Sequence, residues 1–154
     1  MEIRPYVAAD VAPTLAVFLE AVTVTAAADY SPAQVEAWAR RDDRDVDTWH
    51  AARVATHTYV AEYDGAVAGF ADIDGAGHIG MLYVAPAYGR RGVATALLHR
   101  LLRDAAAAGV DEVTTEASLT ARPFFERHGF LVTARQRVRA GDVELVNFRM
   151  TLRP

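Results

Sequence analysis

The spacing of apolar and polar positions changes period several times along the chain, and each change marks an element. Residues 2–7 read as a short first strand. From Val11 the spacing is helical: Val11, Leu15, Phe18, Leu19 and Val22 share one face of a helix predicted to reach Val24, with Asp10 as its cap and Pro13 in its first turn. Ser31-Pro32-Ala33-Gln34 restarts a helix through a capping box, with Pro32 at the first helical position, and this helix is predicted to end near Arg40. The run Arg40-Arg41-Asp42-Asp43-Arg44-Asp45 is expected to be a solvated loop, followed by a third short helix carrying Trp49.

The period then drops to two. Residues 56–63 and 67–73 are β-rich and flank Asp64-Gly65, a hairpin signal; a second glycine-bearing turn, Asp74 to Gly77, leads into 78–84. Three antiparallel strands follow. A helix opening near Arg91 places Val93, Leu97, Leu98, Leu101 and Leu102 on its inner face and stops at Gly109. Residues 112–117 form the next strand, and the intervening helix makes it a parallel neighbour of the strand before. A short helix over 119–128, closed by Gly129, precedes a final hairpin of 130–139 and 143–152. The order β-α-α-β-β-β-α-β-α-β-β is that of an α+β fold with a mixed sheet. With no internal repeat or linker, one domain over residues 1–154 is expected.

Composition narrows the function classes. All 16 basic residues are Arg, so a phosphate-binding lysine of the P-loop kind is excluded, and no Cys is present to act as nucleophile, disulfide partner or thiolate ligand. The net charge of −4 argues against a nucleic-acid or membrane-surface partner. His50, His57, His99 and His128 lack metal-ligand spacing, so no metal is expected. Glu2-Ile3-Arg4-Pro5 does not read as a leader, and no apolar run approaches the ~18 residues of a membrane span, so a cytoplasmic protein is expected.

One stretch concentrates chemistry. Tyr83 to Leu98 reads as strand, turn and helix, with Gly89, Arg90, Arg91 and Gly92 in the turn and Val93, Ala94 and Thr95 opening the helix. The first N–H groups of a helix have no intrahelical partners, so small residues and arginines there suit an anion such as phosphate.

These residues resemble the GCN5-related N-acetyltransferase (GNAT) superfamily along nearly the whole chain. Gly89-Arg90-Arg91-Gly92-Val93-Ala94 is similar to that family's Gln/Arg-x-x-Gly-x-Gly/Ala acyl-CoA turn, departing at the first position. Leu82-Tyr83-Val84-x-Pro86 looks like its fourth strand, and Ala121 to Phe130 like its Ala-x-x-Phe-Tyr-Glu-x-x-Gly-Phe segment. The resemblance implies a mostly antiparallel sheet of about seven strands, splayed between strands four and five and flanked by four or five helices. It further implies acetyl-CoA as cosubstrate, with the pyrophosphate on the turn from Gly89 to Thr95. The pantetheine arm would lie along Leu82, Tyr83 and Val84, and the Leu82 N–H would face the thioester carbonyl. Ser118, Phe124, Phe125 and Arg127 would line the far side. Where the family often has a tyrosine as acid for the departing thiolate, this chain has Phe125, leaving Tyr83, Tyr88 or water for that proton.

An acceptor amine needs a base, and Glu116, His78 and Asp72 lie on the right strands, Glu116 first among them. Tyr30, Trp38 and Trp49 are candidates for an aromatic acceptor wall, with Asp72 as a substrate contact, and Asn147 and Arg149 for the acceptor or a partner subunit. The expected activity is acetyl transfer to the amine of a small molecule; the alternative is a non-catalytic acyl-CoA-binding module. The last strand is a candidate for pairing across a homodimer axis.

Overall fold

The computed structural model describes residues 1–40 and 44–154. Arg41, Asp42 and Asp43, the centre of the charged run, lie outside the described residues. Seven strands form one sheet: β1 (Glu2–Pro5), β2 (His57–Tyr63), β3 (Ala66–Ile73), β4 (His78–Val84), β5 (Val113–Ser118), β6 (Leu131–Ala140) and β7 (Val143–Leu152), in the order β1-β2-β3-β4-β5-β7-β6. Every neighbouring pair is antiparallel except β4–β5, the pair joined through a helix. That helix, α4 (Val93–Ala107), lies on one face with α5 (Arg122–Arg127); α1 (Val11–Glu20), α2 (Pro32–Ala39) and α3 (Val46–Val54) lie on the other. The expected α+β architecture is therefore the one observed.

Two cores sandwich the sheet. Leu97, Leu98 and Leu101 of α4 pack with Val113, Phe130 and Met150, while Phe18, Trp49, Val60, Phe70 and Leu145 fill the opposite side. The capping box forms as read: the Ser31 hydroxyl accepts from the Gln34 N–H at 3.2 Å, and Gln34 Oε1 accepts from the Ser31 N–H at 2.9 Å.

The first helix differs from the sequence pattern in two respects. It continues past Glu20 through a wide turn, Ala21–Thr25, and a tight one, Ala26–Ala28, so that the helical segment Ala8–Ala28 has 21 residues and a mean hydropathy of 1.7. By length and composition alone that segment is apolar enough to cross a membrane, which the interrupted apolar run did not suggest; its Val17, Phe18 and Val22 are buried against the sheet. The inner face is also wider than read: Val11, Leu15 and Leu19 pack against the core beside Phe18 and Val22 as expected, and Thr14 joins them fully buried, its hydroxyl donating to the Asp10 carbonyl at 2.7 Å and accepting from the Trp49 indole N–H at 3.0 Å. A polar residue with both roles filled can be buried without penalty.

The β4–β5 pairing covers only two register pairs, His78–Thr114 and Ile79–Thr115. Beyond them β5 stays with β7 through Ser118 and β4 stays with β3 through Val84, so the sheet opens into a wedge between its two central strands.

Candidate active site

Backbone geometry determines what the wedge presents. In an antiparallel pair, hydrogen-bonded and non-bonded positions alternate. The Ala85 N–H donates to the Ala68 carbonyl at 2.8 Å, so Phe70–Tyr83 is the next bonded pair, and the N–H and C=O groups of Leu82 and Val84 turn away from β3 toward the opening. On the opposite bank the Thr114 N–H reaches the Gly77 carbonyl at 3.0 Å, and the same alternation points the Glu116 and Ser118 amides into the wedge.

A cavity of about 290 Å³ fills the opening, walled by Trp38 and Tyr83 on one side and by Glu116, Ser118 and Asn147 on the other. Of the sequence candidates, Tyr30, Trp38, His78, Leu82, Tyr83, Glu116, Ser118, Phe125 and Asn147 all line it. The Glu116 carboxylate is exposed to the cavity and makes no hydrogen bond or ion pair among the described residues; Arg122, a conceivable partner, pairs instead with Glu126 at 3.2 Å and stacks over Phe148. His78 Nδ1 shares a 2.8 Å hydrogen bond with the Thr114 hydroxyl, leaving Nε2 for other work. Asn147 Oδ1 is buried with no partner, a hydrogen-bond acceptor held at the cavity. Tyr30 is a brace: its hydroxyl donates to the Val146 carbonyl at 2.7 Å and accepts from the Leu119 N–H at 2.9 Å.

Three acceptor-side candidates, Asp72, Trp49 and Arg149, stand elsewhere, and Val84, Phe124 and Arg127 of the cofactor set do not line the cavity either. Asp72 does not line the cavity but is buried behind β4, where Oδ1 accepts from both the Gly80 and Met81 N–H groups at 3.1 Å and Oδ2 faces Arg53 Nε at 3.7 Å. Burial pushes its carboxyl above the ordinary range, opposed by Arg53 and the two N–H donors. A carboxylate with these commitments is not free to accept an amine proton. Trp49 is buried beneath the cavity, and Arg149 is exposed on the sheet surface. Arg53 was not singled out in the sequence. It lies four residues after Trp49 and stacks over that indole at 4.3 Å, a helical-spacing signal available beforehand.

Among the tyrosines proposed as acids, Tyr83 faces the cavity, and burial pushes its phenol up to about 12, so it keeps its proton at neutral pH. Tyr88 packs against Tyr63 at 5.4 Å by the turn. Phe125 is buried against Phe124 and Phe130.

The turn before α4 runs through a tight Pro86–Tyr88 helical turn, then Arg90 and Gly92 with φ of 61° and 78°. Gly92 tolerates that left-handed backbone without strain, whereas Arg90 adopts it at a cost. No side chain caps the helix, and its first internal bond is Ala96 N–H to the Gly92 carbonyl at 3.0 Å. The N–H groups of Val93, Ala94 and Thr95 thus remain for an anion, with the exposed Arg90 and Arg91 beside them. This donor set fits a pyrophosphate, and the free β4 bank fits an extended amide-bearing arm. Among the described residues no group of three or more His, Asp or Glu side chains is placed to hold a metal ion.

Residues 26–152 match the acetyltransferase (GNAT) domain family. The chain belongs to the GNAT acetyltransferases. It is 39% identical over 155 residues to the uncharacterised N-acetyltransferase YafP of Escherichia coli K12, covering 100% of this chain and 97% of that one. A solved GCN5-related N-acetyltransferase of Rhodopseudomonas palustris superposes with a TM-score of 0.95 at 37% identity, over 99% of this chain and 95% of that one. The PaiA N-acetyltransferase of Thermoplasma acidophilum, solved with coenzyme A, shares the fold at a TM-score of 0.80 and 21% identity, over 99% and 98% of the two chains. As a GNAT enzyme the protein is an acetyl-CoA-dependent N-acetyltransferase.

Proposed function

We propose that the protein acetylates the primary amine of a small molecule by direct attack on the acetyl-CoA thioester. The observation that carries this reading is the pairing of banks across one cavity: the outward Leu82 N–H on β4 and the uncommitted Glu116 carboxylate on β5. Val93, Ala94, Thr95, Arg90 and Arg91 hold the pyrophosphate; Leu82, Tyr83 and Val84 align the pantetheine arm, with Ser118, Phe124, Phe125 and Arg127 on its other side. Glu116 takes the proton of the acceptor ammonium, with His78 the other base within the cavity. The amine nitrogen bonds to the carbonyl carbon, the negative charge developing on its oxygen is met by the Leu82 N–H, and as the C–S bond breaks the nitrogen sheds its second proton to solvent, leaving the neutral amide and the CoA thiolate. A thiol pKa near 8.5 makes that a tolerable leaving group without a tyrosine at position 125.

The cavity also speaks for the acceptor. Its volume suits a small organic molecule, Trp38 and Tyr83 offer aromatic surface to a cation, and Glu116 and Asn147 Oδ1 both accept hydrogen bonds, as an ammonium requires. Such an enzyme works where acetyl-CoA is supplied, in the cytoplasm. The test is twofold. Arg90→Glu with Arg91→Glu is expected to weaken acetyl-CoA binding in calorimetry at least tenfold; unchanged affinity removes the turn from the site. A thiol-release assay over a panel of small amines is expected to show amine-stimulated turnover. Tight acetyl-CoA binding with no stimulation by any amine would favour a non-catalytic acyl-CoA-binding module, the role that Phe125 in place of tyrosine makes the competing one.

A further inference from the structure

Asp72 sits behind the wedge, yet it acts on the backbone that faces it. The pairing of β3 with β4 changes register between Ala71 and Ile73: Ile73 stands opposite Ile79, whereas Ala71 stands opposite Leu82. One residue of β3, Asp72, therefore stands opposite two of β4, a bulge at Gly80-Met81. Along β3 the even-numbered residues face their backbone groups toward β4, since Asp74 N–H donates to the His78 carbonyl at 3.0 Å and the Ala68 carbonyl accepts from Ala85. If β4 continued in the Ile73–Ile79 register, Phe70 would meet Leu82, and the Leu82 N–H would be consumed by the sheet. With the extra residue Phe70 meets Tyr83 and Leu82 is released toward the opening.

The groups the bulge leaves over are both taken by one atom, Asp72 Oδ1, which accepts from Gly80 N–H and Met81 N–H. Gly80 is required here for a packing reason, because a Cβ on it would stand 2.7 Å from that same oxygen. Behind the carboxylate, Arg53 is 6% exposed, faces Oδ2, lies over Trp49 and directs a guanidinium nitrogen at Met81 Sδ at 2.9 Å, while its Nε has no hydrogen-bond partner. We propose that Asp72, backed by Arg53, is the positioning residue that selects Leu82 as the oxyanion donor by clamping the extra residue of β4 in place. The proposal rests on the acetyl-transfer reading for its kinetic consequence, but its structural half stands without it.

The experiment uses the full chain and two readouts. Asp72→Ala is made in an Arg53→Met background, so that no buried cation is left without its counter-ion; Arg53→Met alone is the control. Amide exchange by NMR on the unliganded protein is expected to slow at Leu82 and quicken at Tyr83 in the double variant, as Leu82 gains access to the Phe70 carbonyl, and to shift less in the control, which keeps the accepting Oδ1. With acetyl-CoA and an amine, kcat is expected to fall about 100-fold or more in the double variant, the usual cost of a lost oxyanion donor, with KM for acetyl-CoA changed less than about threefold. Asp72→Asn, which keeps an accepting oxygen, is expected to restore most of kcat. Should the double variant fail to fold, Gly80→Ala carries the same test, its added carbon displacing the carboxylate from the front. Wild-type exchange at both Leu82 and Tyr83 in a folded variant overturns the clamp. An exchange swap with unchanged kcat keeps the clamp and overturns Leu82 as the donor.

Discussion

Glu116 stands in register with Arg149 on β7 and two residues before Ser118, yet its carboxylate has no partner among the described residues and is open to the cavity. On the proposed reading such a carboxylate is placed to take the proton of the acceptor amine. Glu116→Gln removes that capacity with little change of shape, so kcat/KM for the amine is expected to fall about 100-fold or more, the lower end for a general base. Acetyl-CoA affinity by calorimetry should be unchanged. An unaltered kcat/KM would transfer the role to His78. At this scale the sequence was most informative about the backbone: the outward groups of Leu82 and Val84 and the left-handed Gly92 could be read from motif and turn. It named Asp72 as a base or substrate contact and did not foresee its burial behind β4, because that burial depends on the bulge opposite. Gly80 within an otherwise apolar strand was the available sign of that bulge.

Among the elements, the start of α1 shows how a cap can be legible in type and wrong in partner. Asp10 was read as capping forward; instead its Oδ2 accepts from the Val7 N–H behind it at 2.9 Å, and its two oxygens meet the Arg4 guanidinium at 2.8 and 2.9 Å. This ties β1 to the first helix. Burial alone would raise the Asp10 carboxyl, but the Arg4 bonds, the Val7 N–H and the Arg4 charge outweigh it, and the net shift is downward. A depressed folded value means stabilisation that is full above the ordinary carboxylate range and is lost as pH falls through the folded value. Asp10→Asn is therefore expected to cost about 2 kcal/mol in urea unfolding at pH 7, the range for hydrogen bonds to a charged group. The gap between variant and wild type should narrow by pH 3, and a constant gap would show that packing, not charge, is responsible. The capping box at Ser31 and the inner face of α4 were legible because both depend on neighbours in sequence. The burial of Thr14 in α1 depends on Trp49, a partner 35 residues away.

For the whole molecule, turn types and the one helical connection led to the β2-β3-β4 run, the parallel β4–β5 neighbours and the β6–β7 hairpin, but not to the places of β1 beside β2 and of β7 beside β5. The splay between β4 and β5 came from the family resemblance, since no local pattern says where two parallel strands stop pairing. The halves β1–β4 and β5–β7 meet in the sheet at two register pairs, supported by the Thr115 hydroxyl donating to the Ile79 carbonyl at 3.1 Å and by α4 across the back. Past that point each bank carries backbone groups with no strand to receive them. On the proposed reading an extended acyl-CoA arm supplies the missing partner for β4 and joins the halves, so its binding should tighten the molecule as a unit. At a concentration of 100 times Kd the stabilisation is about 2.7 kcal/mol, which for a domain of this size raises Tm by roughly 5–10 °C. Hydrogen exchange should identify where that gain arises: with acetyl-CoA bound, the Leu82 and Val84 amides are expected to become protected, while Phe70 and Tyr83, already paired with each other, should change only as much as global stability does. A rise in Tm without added protection at Leu82 and Val84 would mean that the cofactor is held at the turn alone and that the wedge is not the path of its reactive arm.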